Sequence, residues 1–271
     1  MPSSGARGSA EPGSARQEPN RGQVRESEYD DIARLYDPWS ASVQEDVPFY
    51  VQEAQRAGGP VVELGVGTGR IAIPVAAAGV RVIGVDSSRG MLEVCRERAA
   101  VAGVEVDLRF GDLREPPVVE RVPLVLCPFR SFLHLRTDDD RRRALRAVRG
   151  LLAPGGRFIF DVFAPGADDI EETHGRWIER EPGIWERADW DARARTLTLS
   201  VRDVNAYSTM ELAWLEPHEW SALLESEGFE VVAMYGWFDR TPYRGGEDVV
   251  FVATGGDVSP GAVQVSDTAT S

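Results

Sequence analysis

The stretch Val61-Val62-Glu63-Leu64-Gly65-Val66-Gly67-Thr68-Gly69 constrains the fold more than any other part of the chain. A short apolar strand runs into glycines at alternating positions, with an acid, Glu63, just ahead of the first. A second apolar strand, Val82-Ile83-Gly84-Val85, ends on another carboxylate, Asp86. Open α/β sheets take their ligands at the carboxyl edge of parallel strands, where such a glycine turn lies. The pair of segments therefore predicts a nucleotide pocket at that edge.

The rest of the chain is consistent with such a sheet. Apolar strand runs at 61–64, 81–85, 106–110, 124–126 and 157–162 alternate with helical patterns at 71–78, 91–102 and 138–152. In the last of these, Leu145, Val148, Leu151 and Leu152 form one face, and Ala153-Pro154-Gly155-Gly156 reads as its terminator and turn. From about 177 to 214 the period changes to two, as in Thr196-Leu197-Thr198-Leu199-Ser200-Val201, which predicts inserted antiparallel strands. A helix at 217–227 with an early Pro, then strands at 230–235 and 248–253, complete the pattern. Residues 1–26 and 255–271 are poor in apolar content and are expected to be disordered, leaving a folded unit over 27–254 with its insertion at about 164–215.

Composition excludes some classes. The net charge of −14, from 44 acidic against 30 basic residues, argues against nucleic acid as a partner, because phosphate binding needs a basic face. No apolar run has the length of a membrane span or follows the amino-terminal arginines as a secretory signal would, so a cytoplasmic location without membrane contact is expected. The two cysteines, Cys95 and Cys127, are expected to be buried free thiols. The expected partners are a small-molecule substrate and, at most, a second copy of the chain in a homodimer.

The spacing Gly65-x-Gly67-x-Gly69 departs from the Gly-x-Gly-x-x-Gly of dinucleotide dehydrogenases. The tighter loop leaves less room for a pyrophosphate, which Glu63 would also repel, and suits a ligand with a positive centre. Asp86 can accept hydrogen bonds from ribose hydroxyls, and Gly111-Asp112-Leu113 brings a further carboxylate to where an adenine amino group can donate. In these residues, and in the order of strands over 29–254, the chain resembles the class I S-adenosylmethionine-dependent methyltransferases. The resemblance implies a doubly wound, mostly parallel seven-stranded sheet of Rossmann-like α/β type with an inserted antiparallel sheet, its last strand reversed, and S-adenosyl-L-methionine as cofactor. It also implies that Glu63, Gly65, Gly67 and Gly69 wrap the methionine part, that Asp86 holds the ribose, and that Asp112, Ser87, Met91 and Leu113 lie near the adenine. Tyr29 and Tyr36, each followed by an acid and spaced seven apart on one helix face, are candidates for a lid over the cofactor.

The acceptor end is read from Cys127-Pro128-Phe129-Arg130-Ser131-Phe132-Leu133-His134. Methyltransferases acting on nucleobases or amide side chains often carry Asn/Asp-Pro-Pro-Tyr/Phe at this strand end. Here Cys127 replaces the amide and is counted with the cofactor residues, and the departure argues against those substrates. Arg130 is a candidate to hold a carboxylate of substrate or cofactor. His134 is the candidate general base, whereas His174 and His218 are too scattered to form a metal site, and His218 reads as a helix cap. Trp177, Trp185, Trp190 and Trp214 read as core of the insertion, and 236–243 as either a plain hairpin or a pocket wall. The leading expectation is N-methylation of a small amine, since a neutral amine needs no strong base. The alternatives are O-methylation using His134, a catalytically silent relative that only binds the cofactor, and, more remotely, a dehydrogenase.

Overall fold

The computed structural model describes residues 27–40 and 44–255. The segments expected to be disordered lie outside these residues, except Gly255, which closes the last strand.

Eleven strands form two sheets among the described residues. The larger contains β1 (Val61–Leu64), β2 (Val82–Asp86), β3 (Asp107–Phe110), β4 (Val122–Cys127), β5 (Leu152–Phe163), β10 (Phe229–Tyr235) and β11 (Asp248–Gly255). Its order is β10-β11-β5-β4-β1-β2-β3. The five strands from β3 to β5 are parallel, and β11 runs antiparallel between β5 and β10. This is the expected doubly wound sheet with its reversed strand. The smaller sheet is the meander of β6 (Trp177–Glu181), β7 (Ile184–Asp191), β8 (Thr196–Arg202) and β9 (Tyr207–Ala213).

The central strands are apolar on both faces because helices cover both. Val62, Leu64, Val125, Phe158 and Phe251 point to a core shared with α5 (Asp138–Leu151) and α7 (Pro217–Ser226). Val61, Leu124, Leu126, Ile159 and Val250 face α2 (Asp46–Ala57), α3 (Ala72–Ala77) and α4 (Arg89–Ala102). Ala188, Leu197, Leu212 and Trp214 of the insertion join the first core, so the second sheet is docked on the main one. At the amino end, α1 (Ala33–Trp39) bridges the two. Leu35 packs with Ile184, Val201 and Met210 of the insertion, while Ala33 packs with Met91 and Val94 of α4.

Several expectations need correction. The Ala153-Pro154-Gly155-Gly156 turn lies inside β5, since Leu152 already pairs with Val122; Gly155 takes φ +72°, and the register shifts there. Tyr29 and Tyr36 do not share one helix, because Asp30–Ile32 is a 3-10 turn that leads into α1. The cap of α7 is Glu216, whose backbone N–H donates to Glu219, and His218 is exposed. Two helices lie outside the expected helical patterns, α2 and α6 (Ala167–Thr173), the latter with no buried residue and hence no apolar period to read. Among the described residues no helix is long and apolar enough to cross a membrane.

Candidate active site

Strand ends β1 to β4 open onto a cavity of about 1550 Å³. Of the residues expected to hold the cofactor, Tyr29, Tyr36, Gly65, Gly67, Asp86, Ser87, Met91, Asp112 and Leu113 line it, and His134 does as well. Glu63, Gly69 and Cys127 do not, and Arg130 lines a second cavity instead.

The three glycines meet different demands. At Gly67, with φ +53°, a Cβ would enter open space, so the turn leaves room for a ligand. Gly69 packs instead, because a Cβ there would lie 2.6 Å from the Cys95 sulfur. Gly65 sits against the Ser131 hydroxyl. Asp86 organises the loop: its carboxylate accepts the Gly67 and Ser88 backbone N–H groups, both at 2.8 Å. Burial nevertheless pushes its carboxyl above the usual range, against those hydrogen bonds.

Glu63 lies inside the sheet, 2% exposed, and its Oε2 has no hydrogen-bond partner. Burial raises its pKa well above the ordinary carboxylate value, helped by Asp46 and Asp86 and opposed by Arg70. One oxygen of a buried carboxyl is thus left without a donor beneath the glycine loop, next to the cavity that Gly65 and Gly67 line. Cys127 stands behind the wall, fully buried, and Cys95 is buried under Gly69. Asp112 is already engaged. Arg114 donates to both of its oxygens, at 2.9 and 2.5 Å, and lowers its pKa.

The amino-terminal segment is fastened over the cavity by the acids that follow its tyrosines. Asp30 accepts the Ser88 hydroxyl at 2.6 Å and the Gly90 N–H at 3.0 Å, at the start of α4. Asp37 accepts the Thr68 hydroxyl at 2.6 Å and Arg98 at 2.7 Å. Tyr29 and Tyr36 are held edge to face at 5.9 Å, and burial keeps both phenols protonated. The Tyr29 hydroxyl lies 2.9 Å from His134 Nε2. Burial, aided by the Arg136 charge, lowers the His134 pKa to about 4, so its imidazole is neutral near pH 7.

A second cavity of about 430 Å³ shares Tyr29, Tyr36, Phe129 and His134 with the first. Its far wall is Trp190, Leu197, Leu199 and Leu212 of the insertion, with Trp237 and Phe238 beyond β10. The 236–243 connection is thus both a hairpin, closed by Gly236 N–H to Thr241, and a wall. Trp214 is core, while Trp190 packs on Phe163 and Trp214 and also faces this cavity. Arg130 pairs with Asp248 at 2.7 Å. His174 accepts the Trp190 N–H, a structural role.

Sequence reasoning missed Phe129, Ser131 and Arg114 in the cavity, and Asp161 behind it. The Phe129 signal was present, an aromatic two residues past the β4 end; Asp161 lies inside an apolar strand run and carried none.

Comparisons agree with this geometry. The methyltransferase domain family matches residues 61–156. An uncharacterized methyltransferase of Bacillus licheniformis is 31% identical over 136 residues, covering 50% of this chain and 57% of that protein. A glycine/sarcosine N-methyltransferase of Halorhodospira halochloris is 28% identical over 228 residues, covering 79% and 81%. The structure of the CcbJ methyltransferase from Streptomyces caelestis superposes with a TM-score of 0.73 at 26% identity, covering 86% of this chain and 100% of that one. With Glu63 Oε2 left unpartnered under an open Gly67 and Asp86 at the neighbouring strand end, the residues fit S-adenosylmethionine, and the chain carries a methyltransferase domain in the fold of the class I S-adenosylmethionine-dependent methyltransferases.

Proposed function

We propose that this protein methylates an amine nitrogen of a small molecule with a largely apolar body. The observation that carries the reading is the wall of Tyr29, Tyr36, Phe129 and His134, which borders both cavities. The cavities adjoin at these side chains, so a methyl donor in one and an amine in the other would meet beside them.

S-adenosylmethionine, when bound, supplies an electrophilic methyl group on a sulfonium. Gly65, Gly67, Asp86, Ser87, Met91, Asp112 and Leu113 would hold it, with Glu63 answering its positive charge from beneath and Gly69 and Cys127 supporting the loop. Tyr29 and Tyr36 close this side. The acceptor would lie in the second cavity under the inserted sheet, residues about 164–215, with Arg130 at its edge for a carboxylate.

The chemistry of the shared wall suits an amine. A lone pair on a neutral amine displaces the methyl in line and needs no strong base. His134, with its pKa lowered to about 4, is too weak a base to draw a proton from an alcohol or phenol near pH 7. Tyr29 and Tyr36 stay protonated and offer oxygen acceptors to an amine N–H. Their ring faces favour the positive charge that develops on nitrogen. The glycine/sarcosine N-methyltransferase among the relatives supports nitrogen as the acceptor atom.

The test is release of S-adenosylhomocysteine with a panel of amines and phenols. Amines alone should support turnover, and His134→Ala should lower the rate only a few-fold. Turnover of phenols alone, with a drop of about 10²-fold in His134→Ala, would replace this reading with base-assisted O-methylation. Cofactor binding without turnover across a wide panel would favour a silent relative.

A further inference from the structure

The loop after β4 turns through two consecutive non-glycine residues in the left-handed region, Phe129 at φ +54° and Arg130 at φ +64°. Both positions are unfavourable for L residues, and such strain persists only where surrounding structure holds it. Here the holder is Asp161 of β5. Its Oδ1 accepts the Phe129 N–H at 2.8 Å, and its Oδ2 accepts the Arg130 N–H at 3.1 Å. Tyr50 of α2, fully buried, donates its hydroxyl to Oδ1 at 2.5 Å. Asp161 itself is 7% exposed.

Three donors converge on one carboxylate, and an ionised Asp offers acceptor sites only. A protonated acid or an amide would turn one oxygen into a donor facing a donor. The residue being held matters for the site. Phe129 borders both cavities, meets Tyr36 edge to face at 6.1 Å, and lies under the Arg70 guanidinium at 4.4 Å.

We propose that Asp161 is a positioning residue of the methyl-transfer site. With Tyr50 it locks the 128–131 loop and so fixes Phe129 among the aromatic side chains where the two cavities adjoin. The ligand identities rest on the function proposed above; the clasp does not.

Asp161→Asn keeps the shape and removes one acceptor. Amide hydrogen exchange over 128–135 should rise at least about tenfold while β1 and β2 keep their protection. Calorimetry with S-adenosylhomocysteine should show affinity falling about tenfold, because the Phe129 wall loosens. Adding Arg130→Gly, which takes φ +64° without penalty, should recover most of both losses. A merely structural Asp161 would lower thermal stability without that rescue. Exchange and affinity both within twofold of the parent protein, or no recovery by Arg130→Gly, would overturn the proposal. Where Asp161→Asn does not fold, Tyr50→Phe carries the test. It should raise exchange over 128–135 about threefold, and unchanged exchange counts against the clasp. If the parent protein does not bind S-adenosylhomocysteine, the cofactor reading fails, while the exchange data still judge the loop.

Discussion

The two cavities that meet at Tyr29, Tyr36, Phe129 and His134 are built in opposite ways. The first, the proposed cofactor side, is made of backbone and carboxylates at consecutive strand ends: Gly65 and Gly67 after β1, Asp86 at the end of β2, Asp112 after β3. The second, the proposed acceptor side, has rings and aliphatic groups from distant parts of the chain in its lining, Trp39, Phe163, Trp190, Leu197, Leu212 and Trp237 among them. Polar groups on short loops read a fixed ligand by directional hydrogen bonds. An apolar wall assembled from remote elements can change with little effect on the sheet, and that suits the half of the site that must differ between acceptors. Cofactor and acceptor binding should therefore respond to different substitutions.

The largest effect is expected on the cofactor side. Asp86→Ala removes a carboxylate that holds the glycine loop through Gly67 and Ser88. Charge-assisted hydrogen bonds contribute about 1.5–3 kcal/mol, so affinity for S-adenosylhomocysteine should fall roughly ten- to a hundredfold by calorimetry. Unchanged affinity would end the ribose assignment and erase the contrast between the halves.

A smaller, one-sided effect is expected from Trp237→Ala. The side chain is 37% exposed and lines the second cavity but not the first, so folding should tolerate its loss. Affinity for S-adenosylhomocysteine should stay within about twofold, while KM for an active amine rises about five- to tenfold as part of an aromatic contact is lost. A matching loss of cofactor affinity would show that the halves are not separable.

The smallest concerns the shared wall. Because His134 titrates near 4 in the folded protein against 6.5 when unconstrained, the unfolded chain binds more protons between those values. Its contribution to stability is thus complete above pH 6.5 and is lost as pH falls toward 4. The loss should amount to about 1–2 kcal/mol, less than for an enclosed imidazole because His134 borders open cavities. Asp161 acts in the opposite sense. Burial raises its pKa to about 6 against the donors that face it, so the folded chain takes up this proton before the unfolded one as pH falls through that value, at the expense of one clasp hydrogen bond. The difference between the parent protein and His134→Gln isolates the histidine, since Asp161 is common to both. Chemical denaturation at pH 7 and pH 5 should show the gap between them narrowing at the lower pH, and a constant gap would place His134 in ordinary solvent.

Much of the fold was readable because parallel strands buried on both faces and their crossover helices have plain periods, as at Val61–Leu64, Val82–Asp86 and Asp138–Leu151. The change to alternation at Thr196–Arg202 identified the inserted sheet for the same reason. The helix Asp46–Ala57 was overlooked although Phe49, Tyr50, Glu53 and Ala54 recur at helical spacing and Gly58 ends it at φ +66°. Within the cavity, residues tied to the glycine motif were found, whereas Arg114 was not, since nothing local says that it will cover Asp112.

The sequence by itself determined the sheet, the place of its reversed strand and the strand ends that line the larger cavity, because these follow from local period and from glycines and acids at fixed offsets. Only the tertiary structure decided which side chains border both cavities. That wall joins Tyr29 before α1, Phe129 after β4 and Asp161 on β5 through contacts more than thirty residues apart in the chain. Such contacts come from packing, which leaves no periodic trace in the sequence around any one of them.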